Sequence, residues 1–262
     1  MPVAIQTIAG FVTAAGAGTT VVTPAPGDTF TVPSFALTSK AYIEKVAASG
    51  AVVDFLRVRS PRLHDANQGL RLRIGGTLRR DLLPVSLQEQ LYPSDTPIVE
   101  LDATGAGSIG ILLSYAFDDL PGVQPLVDTW ENIQPRIVHT MGCEVTVTSG
   151  AIGAWGASAA VNSTFDNFEA GATYALLGYL VRTACLGIAI TGKDTGNLKI
   201  GGPGSDDPLE TRNYFVAWDR LSTQPRIPII QANNRGSTVV QNVDIAAGTV
   251  STVTLFLAQL SS

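Results

Sequence analysis

Apolar and polar positions alternate with period two along most of this chain, in short runs separated by Gly- and Pro-rich breaks. The clearest run is Leu70-Arg71-Leu72-Arg73-Ile74, apolar on one face and basic on the other, closed by Gly75-Gly76. Such alternation predicts half-buried strands. Further strands are expected over 3–13, 19–23, 29–32, 52–60, 97–101 and 108–115, with Pro24-Ala25-Pro26-Gly27-Asp28 and Thr104-Gly105-Ala106-Gly107 as turns. The stretch 37–48 carries two periods. Tyr42, Ile43 and Val46 suit a helical face, yet 41–46 also reads as a strand, which is the reading favoured here. A short helix is expected over 86–91.

After Asp118-Asp119-Leu120-Pro121-Gly122-Val123-Gln124-Pro125 the pattern restarts. Strands are expected over 137–140, 143–148, 174–181, 186–190, 198–200, 214–216, 227–231, 237–244 and 250–257. Gly150–Ala160 and Gly201–Pro208 read as long loops. The apolar stretch 172–190 has the length of a bilayer span, but the Arg182-Thr183 break divides it into two buried strands. About eight short strands per half point to sandwiches or barrels of jelly-roll type.

The halves echo one another. Gln68–Gly76 answers Thr195–Gly202, each a turn Gly, an alternating strand and Gly-Gly. Ser60–Asp65 answers Thr191–Asp194, Thr96–Leu101 answers Ile227–Ala232, and each half closes on an apolar strand, Ile109–Tyr115 and Val250–Leu260. The matches keep their order, roughly 130 residues apart. The expected division is a first roll over 1–120, a linker over 121–135 and a second roll over 136–262, with Pro121, Pro125 and Pro135 stiffening the joint.

Composition narrows the function classes. Charged residues make up 15% of the chain, against the roughly 25% usual for globular domains. A surface so poor in charge invites coverage by neighbours. The net charge is −5, and Met1–Ser39 contains no Lys or Arg, so no cationic arm is available for direct nucleic-acid packaging. The basic concentration at Arg57, Arg59, Arg62, Arg71, Arg73, Arg79 and Arg80 reads as outward strand positions.

No constellation carries chemistry. His64 and His139 lie in different halves, so a cupin-type histidine cluster is missing. Cys143 and Cys185 have no metal spacing and sit in apolar segments, as buried thiols do. Gly202-Pro203-Gly204-Ser205 is no hydrolase elbow. Asp206-Asp207 with Glu210, and Asp118-Asp119, lack calcium-loop spacing and read as solvated turns. Trp130, Trp155 and Trp218 are too scattered for a sugar platform and suit core or interface. The chain is therefore expected to be no enzyme, with no catalytic, cofactor-binding or metal-binding residues and no cofactor.

This duplicated, charge-poor pattern resembles the double jelly-roll major capsid proteins of tailless, internal-membrane viruses, the adenovirus-type capsid lineage. The resemblance rests on the two halves about the linker and on the echoes at Gly196–Gly204 and Pro228–Asn234. It is architectural and spans nearly the whole chain. It implies an all-β chain of two tandem jelly rolls that self-associates as a homotrimer of pseudo-hexameric outline and tiles an icosahedral virion shell. Neighbouring capsomers, minor capsid proteins and an internal membrane are the implied partners, without direct nucleic-acid binding. The loops at Ala14–Gly18, Gly150–Ala160 and Gly201–Pro208, and the termini, are the expected subunit contacts. A viral decoration or fibre module, or a carbohydrate-binding β-sandwich, is the alternative reading, and a barrel enzyme using His64 or His139 a third.

Overall fold

The computed structural model describes residues 3–49, 53–60, 62, 69–73, 79–82, 89–161, 168–222 and 224–261. Ten strands precede the linker: β1 (Ala4–Ala14), β2 (Gly18–Val21), β3 (Thr23–Pro24), β4 (Ala41–Ser49), β5 (Val53–Arg59), β6 (Leu70–Arg73), β7 (Arg79–Leu82), β8 (Glu89–Gln90), β9 (Ile98–Ala103) and β10 (Gly107–Phe117). They form two antiparallel sheets, β3-β1-β10-β4 with β7 and β8 both on β4, and β2-β9-β5-β6. The later strands are β11 (Val127–Asp128), β12 (Ile137–Thr148), β13 (Ala159–Ala160), β14 (Thr173–Val181), β15 (Cys185–Thr191), β16 (Ile200–Gly204), β17 (Ile227–Gln231), β18 (Val239–Val243) and β19 (Val250–Leu260). They form β11-β17-β14-β19-β12 and β13-β18-β15-β16. Short helices α1 (Trp130–Ile133), α2 (Pro208–Thr211) and α3 (Tyr214–Leu221) lie only in the second half among the described residues.

The strand order is the same in both halves. With β7 and β8 taken as one interrupted strand, and the eight principal strands of each half counted in sequence, one sheet runs 1-8-3-6 and its partner 2-7-4-5. That interleaving is the jelly roll, so the chain is an all-β double jelly roll. Both rolls also carry a bulge at the same step. Glu44 is the extra residue of β4 where it passes Ser114 and Tyr115 of β10. Leu177 is the extra residue of β14 where it passes Phe256 and Leu257 of β19. The bulge in β4 resolves its two periods. Ala41 and Ile43 precede it, Val46 and Ala48 follow it, and all four face one core. Inserting one residue shifts the alternation by one, so a bulged strand mimics a three-residue spacing.

Several expectations are corrected. Residues 29–32 are not a strand: Phe30 and Val32 are buried, but the segment runs across the first roll, with the Val32 N–H donating to Asp95 O at 2.7 Å. In place of the helix expected over 86–91, β8 pairs with Tyr42 and Ile43, and 86–88 lie outside the described residues. His64 and Gly75-Gly76 also lie outside them. The segment 214–216 opens helix α3, because Tyr214, Phe215 and Trp218 repeat at helical rather than strand spacing and all enter the core. The strand expected over 198–200 begins at Ile200 and runs to Gly204, through the first part of the expected loop. Of the sequence echoes, β6 with β16 and β10 with β19 occupy matching places. Thr96–Leu101 and Ile227–Ala232 do not, since β9 is seventh in its roll and β17 sixth.

Candidate functional site: the seam between the rolls

Two strands of the first roll are buried on both faces, and this fixes where the rolls meet. Along β1, Ala4 and Ile8 enter the first core, while Val3 and Ile5 join the second and Ala9 a small third cluster with Leu112, Leu186 and Val243. Along β10, Ile111, Leu113 and Tyr115 face the first core, and Leu112 and Ala116 face away from it. The outer face of this sheet lies on β15 and β16. Leu186 of β15 projects there onto Gly110 of β10, and elsewhere those strands present glycines. A Cβ on Gly187 would stand 2.5 Å from Leu112 Cδ1. Thr7 exchanges hydrogen bonds with Gly201, its hydroxyl donating to the carbonyl at 3.3 Å and accepting from the N–H at 3.2 Å. The Thr7 N–H also donates to Lys199 O at 2.7 Å, a main-chain bond across the seam.

The run Gly201-Gly202-Pro203-Gly204 is a buried strand because of this crowding. A Cβ at Gly201 would meet Ile188 O at 1.9 Å, and one at Gly202 would meet Tyr214 Oη at 1.9 Å. Only glycine lets two backbones and a tyrosine approach so closely.

Polar residues lock the edges of the seam. Asp28 is 2% exposed at its side chain and accepts from Lys199 Nζ at 2.5 Å, Trp155 Nε1 at 2.7 Å and Ala9 N–H at 2.8 Å. Lys199 also lies 4.9 Å from the Trp155 ring centre. On the opposite side the bulge residue Glu44 pairs with Arg226, whose Nε donates to Oε2 at 2.8 Å and whose Nη2 meets Oε1. Their side chains are 1% and 3% exposed. Asp219 accepts from the N–H groups of Arg226 and Trp130, which joins this pair to α1 and α3. Gln224 Nε2 donates to Asp118 at 2.8 Å, tying the residue that follows β10 to the second roll. Farther along, β11 lies within 121–135 and pairs with β17. Val123 packs over Gly196, where a Cβ would approach it to 2.6 Å.

The sequence candidates are accounted for as follows. His139 is exposed on β12. Cys143 and Cys185 are buried and in no disulfide; burial, with Asp244 nearby, pushes the Cys185 thiol up to about 12. Burial likewise raises the Tyr115 hydroxyl, and partial burial with the charges of Asp118 and Glu44 raises Tyr42. Asp207 caps α2 through Leu209 N–H. Trp155 serves the seam and Trp218 the core. Arg57 and Arg59 point outward but clamp Glu100, at 2.6 and 2.8 Å, and the Arg59 hydrogen bond leads the causes holding that carboxyl below its ordinary range. Among the described residues, no three His, Cys, Asp or Glu gather as a metal site, and no helix is long and apolar enough to cross a membrane. Two of the three loops expected at subunit contacts are used inside the chain. Gly201–Gly204 is buried, and in Gly150–Ala160 a Cβ on Gly153 would meet Phe11 at 2.4 Å. Sequence reasoning missed the seam itself. Its signal was present in β1 and β10, whose apolar residues fall on both faces.

No family model matches the sequence, and no curated protein matches it. Three solved structures illustrate its similarities. A chain of the Sulfolobus Turreted Icosahedral Virus structure is 11% identical with a TM-score of 0.24, over 98% of this chain and 60% of that one, so this chain spans less than two thirds of its length. The major capsid protein P2 from bacteriophage PM2 is 8% identical with a TM-score of 0.26, over 99% of this chain and 98% of that one. The STIV MCP is 6% identical with a TM-score of 0.21, over 99% and 97%.

Proposed function

We propose that this chain is a structural virion protein, a major capsid protein whose homotrimers have a pseudo-hexameric outline and tile an icosahedral shell. The observation that carries the reading is the seam: two rolls of the same strand order packed sheet on sheet within one chain. A chain built this way acts as two neighbouring units of a ring, and three copies supply six. The seam is buried, closely approached at its glycines and locked by polar pairs, so the two rolls behave as one rigid tile. On this reading the chain divides into rolls at 1–120 and 136–262 with 121–135 as the joint. It works by contact between copies rather than by catalysis or a cofactor, and it resides in the capsid, beside minor capsid proteins and an internal membrane. Trp155 lies in the seam, Trp218 in the core, and the half-buried Trp130 ring has Arg220 over it at 5.7 Å, so the three form no shared platform, which supports this reading over a carbohydrate-binding module. Native mass spectrometry and negative-stain imaging of the full chain test it. Trimers, or closed shells of regular size, are expected. A chain that stays monomeric at high concentration refutes it.

A further inference from the structure

Because the rolls share one strand order, each residue of the seam has a counterpart on the outer face of the other roll. Aligning β10 with β19 at their shared bulge step places Thr254 where the first roll has Leu112, and Phe256 where it has Ser114. The strand pairings then place Thr140, Gly142 and Glu144 of β12 where the first roll has Ile5, Thr7 and Ala9. Aligning buried Leu56 and Val58 with buried Ile188 and Ile190 places Phe55 and Arg57 where the second roll has Gly187 and Ala189. Arg71, paired with Arg57, stands where Gly201 does, paired with Ala189.

The open faces carry different groups from the seam. In the seam, Leu112 of the eighth strand projects onto Gly187, Leu186 of the fourth projects onto Gly110, and Thr7 of the first bonds Gly201. On the open faces Gly142 stands on the first strand opposite Phe256 on the eighth, and Phe55, Arg57 and Arg71 stand on the fourth and fifth. Gly142 sits within the long strand β12, is exposed, and needs no left-handed backbone. Inside the chain a Cβ there would meet the Thr254 methyl at 3.3 Å, a side chain that can yield, and a glycine in a strand interior often marks close approach by another group. The charges also match. Glu144 is exposed two residues from Gly142, and Arg71 is exposed on β6. Arg212, held over Phe256 at 5.3 Å, bounds the face on the helix side.

We infer that the outer face of β12 and β19 docks on the outer face of β5 and β6 of a second copy of this chain, with Arg71 of one copy seated over Gly142 and beside Glu144 of the other. The inference rests on the proposed self-assembly and names its surfaces. The contact repeats the seam with polar residues, Thr, Glu and Arg in place of Ile, Leu and Ala. It is therefore wet, salt-sensitive and reversible, where the seam is buried and permanent.

The test is native mass spectrometry and light scattering of the full chain at low and high salt, with thermal melting to follow folding. The parent should associate, and more weakly at high salt. Gly142→Arg should fold, since its Cβ would meet only the Thr254 methyl, at 3.3 Å, and the position is exposed, and should be monomeric. Glu144→Arg and Arg71→Glu should each weaken association at least tenfold, and the double exchange should recover most of it. If Gly142→Arg does not fold, the Arg71→Glu and Glu144→Arg pair decides alone. Folded variants that associate like the parent, or a double exchange no better than the single changes, overturn the assigned faces while leaving self-assembly standing. A monomeric parent overturns both.

Discussion

Replacing Glu44 by alanine should be among the most damaging single changes in the chain. Glu44 occupies the bulge of β4 and reaches across the seam to Arg226, with both side chains almost wholly out of water. Removing the carboxylate leaves a buried guanidinium without its counter-charge. Breaking a buried pair in this way costs about 3–5 kcal/mol, because the remaining charge has lost its compensation but not its desolvation. For a domain of about this size, 1 kcal/mol moves the melting temperature by roughly 2–4 °C, so Glu44→Ala should lower it by about 6–20 °C. The paired replacement Glu44→Met with Arg226→Met removes both charges and keeps apolar volume. It should recover most of that loss, since apolar substitutes for buried pairs are often neutral or stabilising. Calorimetry of the parent, Glu44→Met, Arg226→Met and the double variant closes the cycle, with Glu44→Ala measured beside it. The pair also bridges the rolls, so the single variants should split one unfolding transition into two. A Glu44→Ala protein melting within about 2 °C of the parent would show the pair is solvated and not a lock. A double variant as unstable as Glu44→Ala would refute the charge argument in a different way, by showing that shape at the bulge is what matters.

Four further outcomes follow from named contacts. Gly202→Val should prevent folding or lower stability severely, because its Cβ would stand 1.9 Å from Tyr214 Oη, and expression with circular dichroism reads this directly. Asp28→Ala strands the donors of Trp155, Ala9 and Lys199, at about 1–3 kcal/mol for each group that stays buried and unpaired, measurable by urea unfolding. Cys185 should resist thiol reagents at pH 8 in the folded chain. Its folded value lies above its unfolded one, so its share of stability is full below the ordinary value of 9.0 and is lost as pH climbs from there towards about 12. Glu100 has the opposite sign. Its folded value lies below the ordinary 4.5, so the stabilisation it contributes is present above that value and fades as pH falls through the folded one. Glu100→Gln should flatten that acid limb in a pH-melting series.

Strand alternation made the all-β class legible, and the repeats at β6 with β16 and β10 with β19 made the duplication legible. The failures have specific causes. Gly201-Gly202-Pro203-Gly204 has the composition of a loop, and composition cannot distinguish a chain that needs glycine to turn from one that needs it to be approached. Ile43 and Val46 are three residues apart because Glu44 is a bulge, and no local rule separates that from a helical face. The apolar content of Tyr214-Phe215-Val216 alone suits a strand, and only Trp218 beyond it supplies the helical period. Residues 29–32 alternate in burial without entering a ladder, since burial follows the core and pairing follows the neighbour. Trp155, Asp28 and Lys199 lie far apart in sequence and meet only because the seam brings them together.

The seam also bears on how such a chain could arise. A single jelly roll that assembled through these faces would need the same two faces to make every contact, identical in each copy. Joining two copies removes that requirement for one contact in two. The contact inside the chain forms at high effective concentration and need not be reversible, so it can become buried and tight. That is the state of Leu112 against Gly187 and of Glu44 against Arg226. In the proposed assembly the contact between chains must still form and correct itself, which favours exposed Thr, Glu and Arg over Leu and Ile. Both rolls keep the bulge at the same step of the same strand pair while their corresponding faces have diverged in chemistry. A shared bulge is a property of the common backbone, whereas the faces answer to what covers each of them. Divergence confined to the faces is therefore what duplication followed by specialisation of one contact for folding and the other for assembly should leave behind.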